Sequence, residues 1–211
     1  MFDLSLLSQV IDKADQEKAV RLTTEALSAG TSPQDIIVHG LQAGMAVVGE
    51  KFSSGEYFLP DMLISARAME AALEVLRPLL EKTGIPTIGK VVLGTVAEDI
   101  HDIGKNMVAT FLRGCGFEVF DLGVDVPDQR FVEEVMERKP DILGLSSLVT
   151  TTMPSIGNVI EALEEAGLRS SVRVIVGGAP VTQHFANHVG ADAYADDGGQ
   201  AIKVCKQLLG K

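Results

Sequence analysis

Tryptophan is absent from these 211 residues, only two tyrosines and two cysteines occur, and the 18 lysines and arginines fall well short of the 29 aspartates and glutamates. Each shortage excludes something. Cys115 and Cys205 have neither the spacing of a metal knuckle nor the number for a disulfide framework, so they are read as structural thiols of a reducing cytoplasm. The net charge of −11 repels phosphate backbones and anionic lipid, which argues against nucleic-acid and membrane-surface partners. No apolar run approaches the length of a bilayer span, and Met1-Phe2-Asp3-Leu4 lacks the basic start of a secretory signal. A cytoplasmic location is the expectation. Internal repeats and low-complexity tracts are also missing.

What is present is ample apolar material, 46% of the chain, arranged with two different periods. From Met1 to about Lys82 the apolar residues recur at helical spacing, whereas from about Lys90 short β-branched runs alternate with amphipathic stretches. The change marks a boundary. Residues 1–83 are read as an antiparallel four-helix bundle, 84–89 as a Gly/Pro linker with Gly84 and Gly89 as hinge positions, and 90–211 as a second domain. Asp15 and Ser32 are expected helix caps, and Pro33 suits a first turn. Leu59, Met62, Ala66, Met69, Leu73, Leu76 and Leu80 form one stripe on the last helix of the bundle. The segment from Phe52 to Pro60 reads as a turn with unusually large apolar side chains.

In the second part, strands are expected at Val91 to Gly94, Glu118 to Phe120, Ile142 to Leu145, Val172 to Val176 and Ala193 to Tyr194, each followed by a helical pattern. Such alternation predicts an α/β domain with a five-stranded parallel, doubly wound sheet of flavodoxin or Rossmann type. Ligands of these sheets bind beyond the carboxyl ends of the strands. Three polar loops lie there: Glu98-Asp99-Ile100-His101-Asp102-Ile103-Gly104, then Ser146-Ser147-Leu148-Val149-Thr150-Thr151-Thr152, then Gly177-Gly178. His101 is either a surface histidine beside aspartates or a metal ligand whose second ring N–H is given to Asp99. One histidine is too poor a set for structural zinc, so a metal held here must bring most of its own ligands. A macrocycle does so.

With these residues the chain resembles the corrinoid proteins of cobalamin-dependent methyltransferases, which share their module with cobalamin-dependent methionine synthase. The carrying pattern is Asp-x-His-x-x-Gly at Asp99, His101 and Gly104, Ser-x-Leu at Ser146 and Leu148, and Gly-Gly at Gly177 and Gly178. Gly44 to Phe52 and Phe58-Leu59-Pro60 extend the likeness into the helical part. The resemblance implies a corrinoid (cobalamin) held base-off and His-on, with His101 as lower ligand to cobalt and Asp99 and Thr152 as a relay behind it. It places Glu98, Asp102, Ile103 and Gly104 against the cofactor, Ser146 and Leu148 in the slot for its nucleotide tail, Gly177 and Gly178 close beside that tail, and Thr150 and Gly198 as further contacts. Phe52, Leu59 and Met62 align with side chains that cap the upper face of the corrin, although for Met62 ordinary bundle core is an equal reading.

The implied function is a methyl carrier, not catalytic alone, serving a substrate-specific methyltransferase and an acceptor methyltransferase that uses tetrahydrofolate or a thiol coenzyme, with a reductive activase as a further partner. A corrinoid-dependent sensor would need an added signalling domain, and the cobalamin-binding part of a mutase would lack the Phe52 and Leu59 pattern. His39, His184 and His188 are expected on solvated helix faces, and Glu133-Glu134 and Glu164-Glu165 as exposed helix charge.

Overall fold

The computed structural model describes residues 2–80 and 87–210, apart from the side chains of Ser53, Leu59, Arg77 and Leu80. Two compact units are present, Met1–Thr87 with Gly114–Gly116, and Ile88–Arg113 with Phe117–Lys211. Most of the expected linker, with Gly84, lies outside the described residues. Gly89 lies within them: its carbonyl accepts from the Glu118 N–H at 3.0 Å, and a Cβ there would stand 2.6 Å from Leu209.

The first unit is helical: α1 (Ser5–Asp12), α2 (Gln16–Ser28), α3 (Pro33–Asp35) running through a π-helical stretch (Ile36–Gln42) into α4 (Ala43–Ser53), and α5 (Leu59–Leu80). The Asp15 carboxylate accepts from the Lys18 N–H and the Ser32 hydroxyl from the Asp35 N–H, so both expected caps form, with Pro33 in the first turn. Leu7, Val10 and Ile11 of α1 are buried, and α1 comes close because Gly40 and Gly44 present no side chain: a Cβ on either would lie 2.7 Å from Leu7 or Ile11. On α5 the expected stripe buries Met62, Ala66, Met69 and Leu76.

The apolar turn is shorter than the sequence suggested. Helix α4 continues through Ser53 and α5 begins at Leu59, because the Asp61 carboxylate accepts from the Phe58 N–H at 2.8 Å and so starts the helix early. Tyr57 is tied back to α1, its hydroxyl donating to the Asp12 carbonyl at 3.1 Å while Lys51 Nζ reaches Asp12 Oδ2 at 2.8 Å.

The second unit alternates strictly: β1 (Lys90–Thr95), α6 (Ile103–Gly114), β2 (Glu118–Asp121), α7 (Asp128–Arg138), β3 (Ile142–Ser146), α8 (Met153–Glu165), β4 (Arg173–Gly177), α9 (Gln183–His188), β5 (Ala193–Ala195) and α10 (Gly198–Leu208). All pairings are parallel, in the order β2-β1-β3-β4-β5. Side chains alternate across each strand. Val92, Leu143, Leu145, Val174 and Val176 therefore pack with Phe131 and Val135 of α7 and with Ile156, Val159 and Leu163 of α8, each contributing roughly 1.5–3 kcal/mol of burial. Val91, Leu93, Ile142 and Ile175 point to the other face and are buried there too. Strand order reverses between β1 and β3, since the chain leaves β1 toward β2 and returns past it to β3.

The chain differs from expectation at Glu134, which is buried and not exposed like Glu133. Arg130 at 2.5 Å and Arg138 flank its carboxylate from adjacent turns of α7. Two guanidiniums neutralise a charge that helical spacing alone would assign to solvent. His39, His184, His188, Glu164 and Glu165 are exposed as expected, and Cys115 and Cys205 are buried thiols outside any disulfide. Among the described residues, no helix is long and apolar enough to cross a membrane.

Candidate functional site

The loop after β1 leaves the sheet at Thr95 and is clamped before it reaches α6. Glu98 adopts a left-handed conformation, φ 66°, and its N–H is held by Asp125 Oδ1 at 2.7 Å from the loop after β2. Asp125 in turn donates its own N–H to the Asp99 carbonyl at 2.9 Å, and the Thr95 hydroxyl donates to the His101 carbonyl at 3.0 Å. The backbone that carries Asp99 and His101 is thereby fixed by its neighbours on both sides.

Asp99 is the node of the site. Its side chain is fully buried, and its two oxygens receive four donors: the His101 N–H at 3.0 Å and His101 Nδ1 at 2.8 Å on Oδ1, the Leu148 N–H at 2.7 Å and the Thr152 hydroxyl at 2.8 Å on Oδ2. That number saturates a carboxylate. Burial alone disfavours its charge, but the two backbone N–H groups, the imidazole and the hydroxyl together outweigh burial and hold Asp99 well below the usual carboxylate range. A charged Asp99 at this distance keeps the imidazole proton on Nδ1, so the lone pair of His101 sits on Nε2. The His101 side chain is 49% exposed, which leaves Nε2 free to act as a ligand.

Behind Asp99 the hydrogen bonds continue. Thr152 Oγ1 lies 2.8 Å from the Ser147 hydroxyl and 3.0 Å from the Val149 carbonyl, and Ser147 Oγ lies 3.2 Å from that same carbonyl. Ser147 was not among the residues the motif pointed to. Its signal was only that of a polar residue directly following a strand in the ligand-bearing loop. Lys105 was missed as well: its ammonium is buried and paired with Asp121 at 2.5 Å and 2.6 Å and with Asn106 at 2.8 Å, and Asn106 bonds back to Asp102 at 2.9 Å. This second network ties the start of α6 to the end of β2.

The remaining expected residues fall into three groups. Ile103 and Leu148 are exposed apolar side chains on the same sheet edge, joined by Ile100, Val149 and Val124; Ile100 and Ile103 are 74% and 77% exposed. Gly104 faces open space, and Glu98, Asp102, Ser146 and Thr150 are exposed or half-buried there. Gly177, Gly178 and Gly198 meet protein instead. A Cβ on Gly178 would stand 1.9 Å from the Ser147 carbonyl oxygen at φ 125°, one on Gly177 2.9 Å from the Ala195 carbonyl oxygen, and one on Gly198 2.1 Å from Phe111. Phe52, half-buried on α4, Leu59, which opens α5, and the buried Met62 belong to the first unit.

This donor set fits a corrinoid. Among the described residues, no three or more His, Cys, Asp or Glu gather as a metal cage, whereas one imidazole nitrogen is presented beside uncovered isoleucines. A planar macrocycle carrying its own four equatorial nitrogens needs only that.

Comparison with known proteins gives the same answer. The family model for the B12 binding domain matches residues 89–205, and a second B12 binding domain model matches residues 5–77. Trimethylamine corrinoid protein 2 of Methanosarcina acetivorans is 48% identical over 94% of this chain and 93% of its own length. A cobalamin-binding protein from Desulfitobacterium hafniense superposes with a TM-score of 0.84 at 35% identity over 99% of each chain. The methanol:cobalamin methyltransferase complex MtaBC from Methanosarcina barkeri contains a chain that superposes at 0.86 with 32% identity, over 97% of this chain and 78% of that one. With a domain model matching more than half of its length and a curated relative nearly half identical along almost all of it, the chain belongs to the B12-binding corrinoid proteins.

Proposed function

We propose that this chain is a methyl carrier that holds cobalamin or a related corrinoid base-off and His-on, with His101 Nε2 as the lower ligand to cobalt. The observation that carries this reading is the four-donor saturation of Asp99, which leaves one imidazole nitrogen free and its tautomer set. When bound, the cofactor supplies a cobalt centre that accepts and releases a methyl group.

The protein's own residues do the rest. Asp99 holds the proton at Nδ1 and so raises the donor strength of Nε2, while Thr152 and the Leu148 N–H hold Asp99. Ile103, Leu148 and the neighbouring Ile100 offer an apolar surface to the ring, and Gly104 admits close approach. Glu98, Asp102, Ser146, Thr150, Gly177, Gly178 and Gly198 complete the binding loops. The family resemblance assigns Phe52, Leu59 and Met62 to a cap over the upper face of the corrin, and the B12 binding domain model that matches the helical part is consistent with that assignment.

Two methyltransferases are the partners, one that loads the methyl group and one that passes it to tetrahydrofolate or a thiol coenzyme, with a reductive activase restoring the oxidised carrier. The MtaBC complex supports the first of these. Relatives named for trimethylamine and dimethylamine favour a methylated amine as the source. The buried thiols Cys115 and Cys205, not joined in a disulfide, suit work in the cytoplasm.

The test is the visible spectrum of the protein reconstituted with hydroxo- or methylcobalamin, wild type beside His101→Ala. A histidine-ligated, base-off spectrum that disappears in the variant is expected. A wild type that takes up no corrinoid, or a variant with an unchanged axial signature, would overturn the assignment.

A further inference from the structure

We propose that Ser147 is a positioning residue of the axial-ligand relay, which commits the single proton of the Thr152 hydroxyl to Asp99. The proposal rests on the reading of His101 as the axial ligand. Ser147 is itself held rigidly. Its N–H donates to the Gly177 carbonyl at 3.1 Å, its carbonyl oxygen is faced by Gly178, and it is fully buried.

Proton counting gives the serine its role. Thr152 Oγ1 has one hydrogen and three acceptors within reach: Asp99 Oδ2 at 2.8 Å, Ser147 Oγ at 2.8 Å and the Val149 carbonyl at 3.0 Å. The carboxylate is the strongest of these. Ser147 also has one hydrogen, and it has two uses for it. Donated to Thr152 Oγ1, it satisfies the threonine oxygen and polarises the Thr152 O–H toward Asp99. Donated to the Val149 carbonyl at 3.2 Å, it fills, together with the Thr152 N–H at 3.2 Å, both lone pairs of the competing acceptor. Either arrangement leaves the Thr152 hydrogen for Asp99.

With alanine at position 147 that hydrogen is lost from whichever acceptor it served. Either the Thr152 oxygen, 3% exposed as a residue, loses a donor that water is poorly placed to replace, or the Val149 carbonyl gains an open lone pair that competes for the Thr152 hydrogen. Asp99 then keeps three firm donors and a weaker fourth, and its hold on His101 Nδ1–H readjusts.

The experiment compares full-length wild type, Ser147→Ala, Ser147→Thr, Thr152→Val and the Ser147→Ala/Thr152→Val double variant by two readouts. One is the nitrogen NMR signals of the His101 ring in corrinoid-free protein. The other is the ratio of His-ligated to unligated cofactor at a single pH after loading with hydroxocobalamin. Ser147→Ala is expected to move the ring signals in the same direction as Thr152→Val and to lower the ratio about fivefold, the size of one net hydrogen bond. Ser147→Thr should keep wild-type values. The double variant should equal Thr152→Val, because the serine acts only through the threonine. Should Ser147→Ala fail to fold, Ser147→Cys, whose thiol is a weaker donor, is expected to show the same sign at smaller amplitude. Ring signals and ratio unchanged by the serine substitution, or a double variant with additive effects, would overturn the proposal. Wild-type protein that binds no corrinoid would remove the carrier reading, and the ring signals of the corrinoid-free protein would still decide the role of Ser147.

Discussion

His101 Nδ1 lies 2.8 Å from Asp99 Oδ1, joining a half-exposed imidazole to a carboxylate with no solvent-accessible side chain. The contact is local in sequence, two residues apart, yet its strength comes from elsewhere. Leu148 and Thr152, on the far side of the strand-order reversal, supply the donors that keep Asp99 charged.

Asp99→Asn separates charge from shape. An amide cannot accept from four donors, so at least one buried N–H or O–H is left facing a donor, at a cost of about 1–3 kcal/mol. Urea unfolding of the corrinoid-free variant should show a lower midpoint with an unchanged slope. In the loaded protein the His-ligated fraction should fall, since Nε2 loses basicity once its partner is neutral.

Acid should weaken the protein through this same group. Asp99 in the folded chain titrates below the ordinary carboxylate value, so in the window beneath about pH 3.9 the unfolded state binds the proton that the folded state refuses. The stability Asp99 contributes is fully present above that value and is lost as pH falls toward its depressed folded pKa. Melting temperatures taken from pH 5 downward should drop less steeply in Asp99→Asn than in wild type.

Two glycines should behave in opposite ways. Gly178→Ala forces a Cβ to within 1.9 Å of the Ser147 carbonyl at a positive φ, so a stability loss on the order of 3 kcal/mol is expected. Gly104→Ala meets nothing within 4 Å, and at the start of α6 it should leave stability unchanged or raise it by up to about 1 kcal/mol. Its corrinoid affinity should nevertheless fall. Thermal melts and a cobalamin titration of the two variants distinguish a packing glycine from one that makes room for a ligand.

Lys105→Met should destabilise the protein on the order of 3 kcal/mol, because it leaves Asp121 without the buried ammonium that neutralises it. Adding Asp121→Asn should recover much of that loss, and chemical denaturation of the single and double variants measures the recovery. Recovery beyond the sum of the separate effects identifies the pair as coupled.

Much of the architecture was legible because helices and strands advertise themselves by period. The caps at Asp15 and Ser32, the stripe on α5 and all five strands followed from local spacing, and β4 was displaced by only one residue. The Phe52 to Pro60 turn was read too long because a side-chain cap from Asp61 was not recognised as a helix start. Glu134 was read as solvent-facing because its helical neighbourhood is polar, and only the approach of Arg130 and Arg138 to its buried carboxylate reveals otherwise. Gly177, Gly178 and Gly198 were noticed as glycines, but the atoms that demand glycine there, in Ser147, Ala195 and Phe111, come from other elements.

The sequence by itself determined the change of period, the alternation of strand and helix, and the placing of Asp99 beside His101, since these depend on residues within a few positions of each other. The pairing of Thr152 with Asp99 came from the family resemblance and from no spacing rule; tertiary structure brings the two, 53 residues apart, together and alone decided that Ser147 stands behind them. The physical reason is the parallel pairing of β1 with β3, Thr95 against Ser146, which brings their two following loops together at the reversal of strand order. No local pattern encodes which strands become neighbours; that choice follows from burying both faces of one sheet at once.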